Sequence, residues 1–408
     1  MSVIASSTSA AMPYPVDEYQ QRWERLYAEL ERKGYEAAVI WQRSGGGYDR
    51  ASDLHWLCNY AALSSGQEPA YLGPVGKAYA ALVFHKGQEP TLHICEPYDL
   101  VDRDAIATTN VVDHENLPAG VGKALREAGI EGPVLYNGED FMPEMYMNIL
   151  RAEAPAVEWV PNLDLIWAIH RIKSPRELEA MRETGQVATR ALTALMEDLI
   201  AGKPESEAAA RAAQEIMRGG GGFQRIGTAF GPKAEKVFWS SGLVGYTTAA
   251  PQPGDMLRGW IYGPLNKGLW LDPGRAAVCG NKPTPEQKHL LESSAEIIEA
   301  MANMIKPGVH SQDVGAMADR MMEAAGNELD ADLWDLYGHG VGKDFFLPPV
   351  IPRLGAMPEY TGLYEAGMAV TVEMFLLHKG VGWGTFEHTG LVTEDGWEPL
   401  DRTPLLFW

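Results

Sequence analysis

Residues 171–188 read RIKSPRELEAMRETGQVA, a stretch that opens a long helix. Ser174 is a residue type preferred at a helix N-cap, Pro175 stands at the first helical position, and Glu177 follows three residues after the serine. A serine and a glutamate at this spacing can each accept a hydrogen bond from the backbone N–H of the other, and the fixed φ of proline suits the first turn. A helix with so clear a start in mid-chain also marks the beginning of a new domain.

Two domains are also what the length of the chain favours. At 408 residues it exceeds what one hydrophobic core usually serves, and an apolar content of 46% is enough to fill two cores. The helix signal puts the end of the first domain near residue 165. We therefore predict an N-terminal domain of residues 1–165 and a C-terminal domain of residues 166–408.

The C-terminal domain shows the same order of helices and strands twice. Helical patterns cover residues 174–200 and 204–218, and strand-like segments follow them. Helical patterns return at residues 284–305 and 310–325, and strands follow again to the end of the chain. The similarity between the halves at the level of single residues is too weak to identify a repeat. The order of elements alone predicts two halves, each of two helices and then strands.

The N-terminal domain mixes helical and strand signals. Residues 19–33 form a charged amphipathic helical pattern, and GVGKALREAG is a second helix-like segment. Between and beside them lie the short apolar runs AAVIW, AYAALVF, TLHIC and PVLYN, each closed by polar or turn-forming residues. This alternation predicts a small α/β domain.

Charge and cysteine usage exclude several functional classes. A formal charge of −21 and a pI near 4.9 oppose attraction to nucleic acid and to anionic membranes, since phosphate groups would be repelled. Cys58, Cys95 and Cys279 lie far apart, which is typical of buried thiols in a reducing compartment. The N-terminal stretch lacks a basic start with an apolar run after it, and no segment has the length of a membrane span. We therefore expect a cytoplasmic protein with neither a nucleic-acid nor a membrane partner.

Several stretches, taken in order, resemble one protein family. The helix at residues 171–188 is similar to the one that opens the catalytic domain of the creatinase, prolidase and aminopeptidase P superfamily, relatives of methionine aminopeptidase with the pita-bread fold. GDMLRGWIYGPLNKGLWLDPGRAAV resembles that family's aspartate strands, YGHGVGKDFFLPP its histidine loop, and GMAVTVEMF and GTFEHTGLVTEDG its two glutamate strands. The resemblance implies the fold class α/β, with a small creatinase-type N-terminal α/β domain. The C-terminal catalytic domain would be a pita-bread domain, which is α+β with pseudo-twofold symmetry.

The resemblance assigns four metal ligands, and the chain departs from the family elsewhere. The ligands are Asp272, His339, Glu373 and Glu387. The family's first aspartate, eleven residues before the second, is replaced by an isoleucine, and the second histidine of the loop is replaced by a phenylalanine. A further family histidine in the first half has no counterpart. In the resembled family, the four retained residues are the ligands of one of two metal ions.

A single metal site follows from the residues that remain. One imidazole and three carboxylates carry a formal charge of −3, which can hold one Mn, Fe, Co or Zn dication and leave a position for water. We expect His339, Glu373 and Glu387 to be catalytic as well, with a carboxylate moving the proton of that water. A metal-free site is the alternative, as in creatinase, where the histidine would be the acid or base and the glutamates would orient a cationic substrate.

Aromatic residues surround the predicted ligands in the sequence. We expect substrate contacts from the aromatic side chains of Trp260, Tyr262, Phe346 and Trp383. We expect two further contacts from the polar rings of Tyr246 and His378. A pocket of this kind would suit an aromatic or bulky small molecule. Peptides are less favoured, because the missing histidines are those that help the family bind and cleave a peptide carbonyl.

These features together predict a non-peptidase hydrolase that cleaves a C–N bond of a small molecule at a mononuclear metal site. A lyase on the same scaffold, breaking a C–C or C–S bond or eliminating a group, is an alternative. A metal-free, creatinase-like hydrolase and a noncatalytic binding protein are two others. The resemblance also implies a homodimer.

Overall fold

The computed structural model describes residues 12–44, 52–62, 75–236, 240, 242, 244–326, 335–353 and 355–408. The chain forms two compact units, Met1–Ile169 and His170–Trp408. The boundary predicted after residue 165 falls inside a short helix, α5 (Asp164–His170). Among the described residues, no helix combines the length and the apolar character that crossing a bilayer requires.

The first unit is built on a six-stranded mixed sheet. Its elements are α1 (Val16–Lys33), β1 (Ala37–Arg43), α2 (Ser52–Cys58), β2 (Tyr79–His85), β3 (Thr91–Ile94), β4 (Val111–Asp113), α3 (Leu117–Glu127), β5 (Gly132–Asn137), α4 (Glu144–Glu153) and β6 (Val157–Pro161). The strand order is β4-β3-β2-β1-β5-β6. The apolar runs AAVIW and AYAALVF form the two central strands, β1 and β2, and are buried along almost their whole length. The α/β architecture predicted for this part of the chain is confirmed.

The second unit contains a larger sheet with helices packed against it. Its elements are α6 (Pro175–Ile200), α7 (Glu205–Arg218), β7 (Arg225–Phe230), β8 (Met256–Asn266), β9 (Leu269–Leu271), β10 (Gly274–Val278), α8 (Pro285–Met304), α9 (Ser311–Ala324), β11 (Gly338–Gly340), β12 (Ala369–His378), β13 (Gly382–Val392) and β14 (Trp397–Pro399). The strand order is β11-β12-β13-β10-β8-β7, with β14 paired to β13 and β9 to β8. The predicted sequence of two helices and then strands, twice over, is confirmed.

The two halves of this unit begin with the same capping device. At the start of α6, Ser174 Oγ accepts from the backbone N–H of Glu177 at 3.2 Å, and the glutamate accepts from the N–H of Ser174 at 2.8 Å. At the start of α8, Thr284 and Gln287 make the same reciprocal pair at 3.3 and 2.9 Å. Each capping box satisfies two N–H groups that a helix end leaves without partners. α6 then packs on β8 and β10, and α8 packs on β12 and β13.

The loop that carries His339 is held in place at its far end by backbone hydrogen bonds. The N–H of Lys343 donates to His170 Nε2 at 2.8 Å, so the last residue of α5 fixes the loop. The N–H of Trp270 donates to the carbonyl of Gly342 at 2.5 Å. A Cβ at Gly342 would lie 2.4 Å from His170 Nε2, which makes glycine the only residue that fits there. These contacts link the loop to β9 and to the entry of α6.

A buried ion pair holds the backbone of β13 in place at Glu387. The Arg275 guanidinium lies at 0% exposure, donates to the carbonyl of Glu387 at 2.6 Å and contacts Asp401 Oδ1 at 2.5 Å. Asp401 Oδ2 lies 2.6 Å from Nδ1 of His388. Burial alone would raise the pKa of the Asp401 carboxyl, but the Arg275 guanidinium and the His388 ring lower that pKa to about 2. The carboxylate therefore stays ionised and holds both side chains.

This pKa predicts how stability depends on pH. An aspartate has a pKa near 3.9 in an unfolded chain, so a folded value of about 2 gives stability that is present above pH ~4 and is lost as the pH falls towards ~2. We expect the free energy of unfolding of the wild type to exceed that of Asp401→Asn by about 2–3 kcal/mol or more near neutral pH. The gap should narrow below pH ~4, as measured by urea unfolding at a series of pH values. A gap that stays constant down to pH ~2 would show that this carboxylate does not carry the effect.

Candidate metal centre

The register of the central strands lines up the key side chains in one row. Gly274 on β10 pairs with Trp260 on β8 at one side and with Glu387 on β13 at the other. Glu387 pairs in turn with Glu373 on β12. Because residues directly opposite each other on neighbouring strands point to the same face, Trp260, Glu387 and Glu373 share one face of the sheet.

Three of the four predicted ligands converge on that face. Asp272, His339 and Glu387 each offer a ligand atom, and these atoms lie within 4.8 Å of one another. Asp272 comes from the connection between β9 and β10, and His339 from β11. Glu373 is the cross-strand neighbour of Glu387, although it lies outside the 4.8 Å group. All four residues are 1–3% exposed.

His339 presents one ring nitrogen to the carboxylate of Asp272. Its Nδ1 lies 3.1 Å from the carbonyl oxygen of Gly340, which can only accept a hydrogen bond, so Nδ1 carries the proton. Nε2 then holds the lone pair and lies 3.6 Å from Asp272 Oδ2. A backbone carbonyl that fixes the tautomer in this way is the usual support of a histidine metal ligand. The rings of Phe345 and Phe346 lie 5.0 and 5.2 Å from the imidazole and restrict its rotation.

The carboxyl groups of the cluster are under electrostatic strain. Burial raises the pKa of Asp272, although the His339 ring opposes the shift. Burial and then the charges of Asp272 and Glu373 raise the pKa of Glu387 well above its usual range. No side-chain N–H or hydroxyl of the described residues donates to the Asp272 carboxylate, whose hydrogen-bonding neighbour is the Glu387 carboxyl. Two buried carboxyls this close repel each other once both are ionised, and a cation removes that repulsion, so the donor set fits a divalent metal ion.

Trp260 occupies one side of the cluster. Its indole Nε1 donates to Glu387 Oε2 at 2.5 Å, and its ring stacks on Phe375 with centroids 5.7 Å apart. The ring covers Gly274, where an added Cβ would lie 1.8 Å from a ring atom. The next residue, Ile261, stands where the resemblance places the first aspartate, and strand alternation turns its buried side chain to the opposite face of the sheet. This side of the cluster therefore offers the indole N–H of Trp260 in place of an anionic ligand.

Four of the predicted substrate contacts lie around this cluster. Trp260 and Trp383 belong to one buried apolar group with Phe375, and Tyr262 packs against the edge of that group. The Tyr262 ring also lies 5.3 Å from Phe345, which contacts His339. Phe346 contacts His339 directly. The cluster is therefore walled by aromatic rings.

The structure does not bring the other two predicted contacts to the cluster. His378 stands five residues after Glu373 on β12, so strand alternation directs its side chain to the opposite face of the sheet. Its Nδ1 lies 3.2 Å from the carbonyl of Lys379. The hydroxyl of Tyr246 donates to the carbonyl of Ile226 at 2.7 Å, which commits it to the backbone of the edge strand β7. Neither residue gains support as a substrate contact.

The chain is similar to known peptidases over most of its length. It is 24% identical over 351 residues to the Xaa-Pro dipeptidase of Pyrococcus horikoshii, which covers 82% of this chain and 90% of that protein. Dipeptidase PepE from Mycobacterium ulcerans has a similar structure, with a TM-score of 0.76, 23% identity and coverage of 97% of this chain and 98% of the other. The prolidase from Pyrococcus horikoshii OT3 also has a TM-score of 0.76, at 19% identity, covering 94% and 99%. The predicted creatinase and prolidase type of fold is confirmed.

These similarities correct the function predicted from the sequence. The prediction of a non-peptidase hydrolase acting on an aromatic or bulky small molecule is wrong, because the relatives are named as dipeptidases and prolidases. The lyase, the metal-free hydrolase and the noncatalytic binding protein gain no support from them either. The missing aspartate bears on how many metal ions fit, and that number does not determine which bond is cleaved.

One family model covers more than half of the sequence. It describes metallopeptidase family M24 and matches residues 179–394, a range that contains all four predicted ligands and both halves of the larger sheet. The chain therefore belongs to metallopeptidase family M24, a family of hydrolases.

Proposed function

We propose that this protein is a metal-dependent peptidase that cleaves the amide bond of short peptides with a single divalent cation. The cation would be held by Asp272, His339, Glu373 and Glu387. One observation carries the proposal: the buried carboxyls of Asp272 and Glu387 and the Nε2 atom of His339 converge, with their ligand atoms within 4.8 Å of one another. The dipeptidases among the relatives support short peptides as the substrate class.

A single cation, not two, follows from the composition of the cluster. Two dications close together need several anionic oxygens between them. Here Ile261 replaces one carboxylate, and the indole of Trp260 already donates to one oxygen of Glu387. The remaining imidazole and three carboxylates suit Mn, Fe, Co or Zn.

The residues of the cluster have different roles in hydrolysis. A bound divalent cation would supply Lewis acidity, which polarises a peptide carbonyl and lowers the pKa of a water molecule. We assign to Glu373 the transfer of a proton from the attacking water to the leaving amine, because it is a buried carboxylate beside Glu387. His339 keeps its orientation through the Gly340 carbonyl. The aromatic walls exclude bulk water, which strengthens the electrostatic interactions inside the site.

Substrate contacts in this proposal come from Trp260, Tyr262, Phe346 and Trp383, the aromatic side chains around the cluster. The N-terminal unit is proposed to be creatinase-like and the C-terminal unit catalytic. A homodimer and a cytoplasmic location stay predictions.

Trp260→Phe tests the role of the indole N–H. A phenyl ring still fills the apolar space of the indole but cannot donate a hydrogen bond to Glu387, so the carboxylate loses the contact that orients it. We expect metal affinity to fall by about 10-fold or more, since partners of metal ligands typically contribute 10–100-fold. Trp397→Phe is the matched control, because the Trp397 indole N–H is buried and bonds to nothing within the described residues. Isothermal titration calorimetry with Mn or Co would measure the metal affinity of both variants. Equal affinities in the two variants would contradict the role of the Trp260 N–H in orienting Glu387.

Hydrolysis of defined dipeptides tests the proposed function. The protein stripped with a chelator and then reloaded with Mn, Co or Zn is expected to release amino acids from methionyl-proline, leucyl-leucine or a related dipeptide. Glu373→Gln should lower turnover by at least about 100-fold, the usual size of a lost general acid or base. Failure of the metal-loaded protein to cleave any dipeptide would refute the proposal, and so would cleavage that continues at full rate after chelation.

A further inference from the structure

A cavity away from the candidate metal centre carries an unusual concentration of positive charge. It lies between α6 and the segment 398–402, which begins in β14, and has a volume of about 460 Å³. Three guanidinium groups line it, those of Arg182, Arg190 and Arg402, with one carboxylate, that of Glu398. The lining charge is therefore +2 in a chain whose formal charge is −21. We call it the arginine cavity.

Two of the three guanidinium groups are available to a ligand. Arg182 is engaged by Glu398, with Nε–Oε1 at 3.0 Å and Nη2–Oε2 at 2.8 Å, so this pair forms a fixed edge of the cavity. Arg190 comes only within 3.9 Å of Glu215, beyond hydrogen-bond distance. The Arg402 guanidinium makes no hydrogen bond within the described residues, although its charge helps to lower the pKa of Glu398, and its backbone N–H donates to Thr189 Oγ1 at 2.9 Å.

The shape and chemistry of the arginine cavity suit a particular class of anion. Guanidinium forks bind phosphate oxygens in pairs, and a phosphate monoester carries a charge of about −1.5 to −2 at neutral pH, which matches the lining charge. The exposed amide of Gln186 adds a neutral donor. Pro399 and Leu400 add an apolar wall, and the volume exceeds what a phosphate group alone would fill.

We propose that the arginine cavity binds a small organic phosphate monoester, with its phosphate on Arg190 and Arg402 and its organic group against Pro399 and Leu400. The site is separate from the proposed metal centre, and the proposal does not depend on peptidase activity. Because the guanidinium groups are partly exposed, the interaction is screened by salt and is strongest at low ionic strength.

Titration of the full-length protein with phenyl phosphate and with inorganic phosphate tests the proposal. At low ionic strength, phenyl phosphate should bind at least about tenfold more tightly than inorganic phosphate, because only the ester uses the apolar wall. Arg402→Gln and Arg190→Gln should each weaken phenyl phosphate binding by about tenfold. Arg320→Gln on α9 is the matched control, an exposed arginine outside the cavity, and should bind as the wild type does.

Two results would overturn the proposal. One is the absence of phenyl phosphate binding at about 10 mM ligand, or binding no tighter than that of inorganic phosphate. The other is unchanged affinity in both Arg402→Gln and Arg190→Gln while circular dichroism shows that the variants are folded. Both substitutions lie on the surface, so loss of the fold is not expected to obscure the result.

Discussion

Asp272→Asn is expected to remove the metal ion and peptide hydrolysis together while the protein stays folded. The substitution replaces an anionic ligand with a neutral amide of the same shape in a cluster where the Asp272 carboxylate faces the His339 ring and the Glu387 carboxyl. Loss of a residue that only supports a metal ligand typically costs 10–100-fold in affinity, so loss of a ligand should cost more than about 100-fold. Elemental analysis and titration calorimetry measure the metal, and amino-acid release measures turnover.

The stability of the metal-free protein separates loss of a ligand from loss of the fold. Burial raises the pKa of Asp272, so its ionised form destabilises the metal-free fold at neutral pH. Metal-free Asp272→Asn should therefore unfold at the same urea concentration as the metal-free wild type or at a higher one. Asp395→Asn, an exposed carboxylate, is the control and should keep both metal and turnover. Wild-type metal content in Asp272→Asn would contradict the assignment.

Arg275→Met is expected to be the most destabilising single substitution in the larger sheet. It removes a fully buried guanidinium that donates to the Glu387 carbonyl at 2.6 Å and pairs with Asp401 at 2.5 Å. The Asp401 carboxylate would then stay buried without its main counter-charge, which typically costs about 3–5 kcal/mol. The free energy of unfolding from urea titration measures the loss. Metal affinity should fall with it, because the strand backbone at Glu387 loses its support.

Two further variants show whether the unpaired charge is the cause. Arg275→Met combined with Asp401→Leu leaves no buried charge, so it should regain much of the lost stability. Arg182→Met breaks a half-exposed pair with Glu398 and should cost less than about 1 kcal/mol. If the double variant is as unstable as the sum of its single variants, the effect comes from packing and the ion-pair explanation is wrong.

The fold was largely predictable because its signals are local. Ser174, Pro175 and Glu177 form a capping box within four residues, and the structure begins α6 there. The apolar runs of the first unit are long enough to identify buried strands without knowledge of their partners. Strand order and register depend on contacts between distant segments, so they could not be read from these local patterns.

The candidate site was predictable in its residue types and less so in its geometry. The resemblance pointed to Asp272, His339 and Glu387, which the structure brings together. The bond from Trp260 to Glu387 joins residues 127 positions apart, and no spacing in the sequence indicates it. Asp401 pairs with Arg275 across 126 positions and gave no signal for the same reason. His378 was misleading because closeness in sequence to Glu373 does not fix the face of a strand on which a side chain lies.

The function was predicted wrongly for a different reason. The absence of the family's two histidines makes a non-peptide bond the expectation from the sequence, whereas the relatives are named as dipeptidases and prolidases. In the structure, the position of the lost aspartate is the buried Ile261, which has no ligand atom to offer a second cation. Specificity for a peptide carbonyl over another carbonyl is decided by the groups of the protein that bind the rest of the substrate.

The number of metal ions per chain tests the central claim most directly. The protein would be stripped of metal, reloaded with an excess of Co or Mn, freed of unbound ions and measured by elemental analysis against protein concentration. The claim predicts one tightly bound cation per wild-type chain, and X-ray absorption should show one nitrogen ligand among oxygens. Two tightly bound cations per chain, or none, would contradict it.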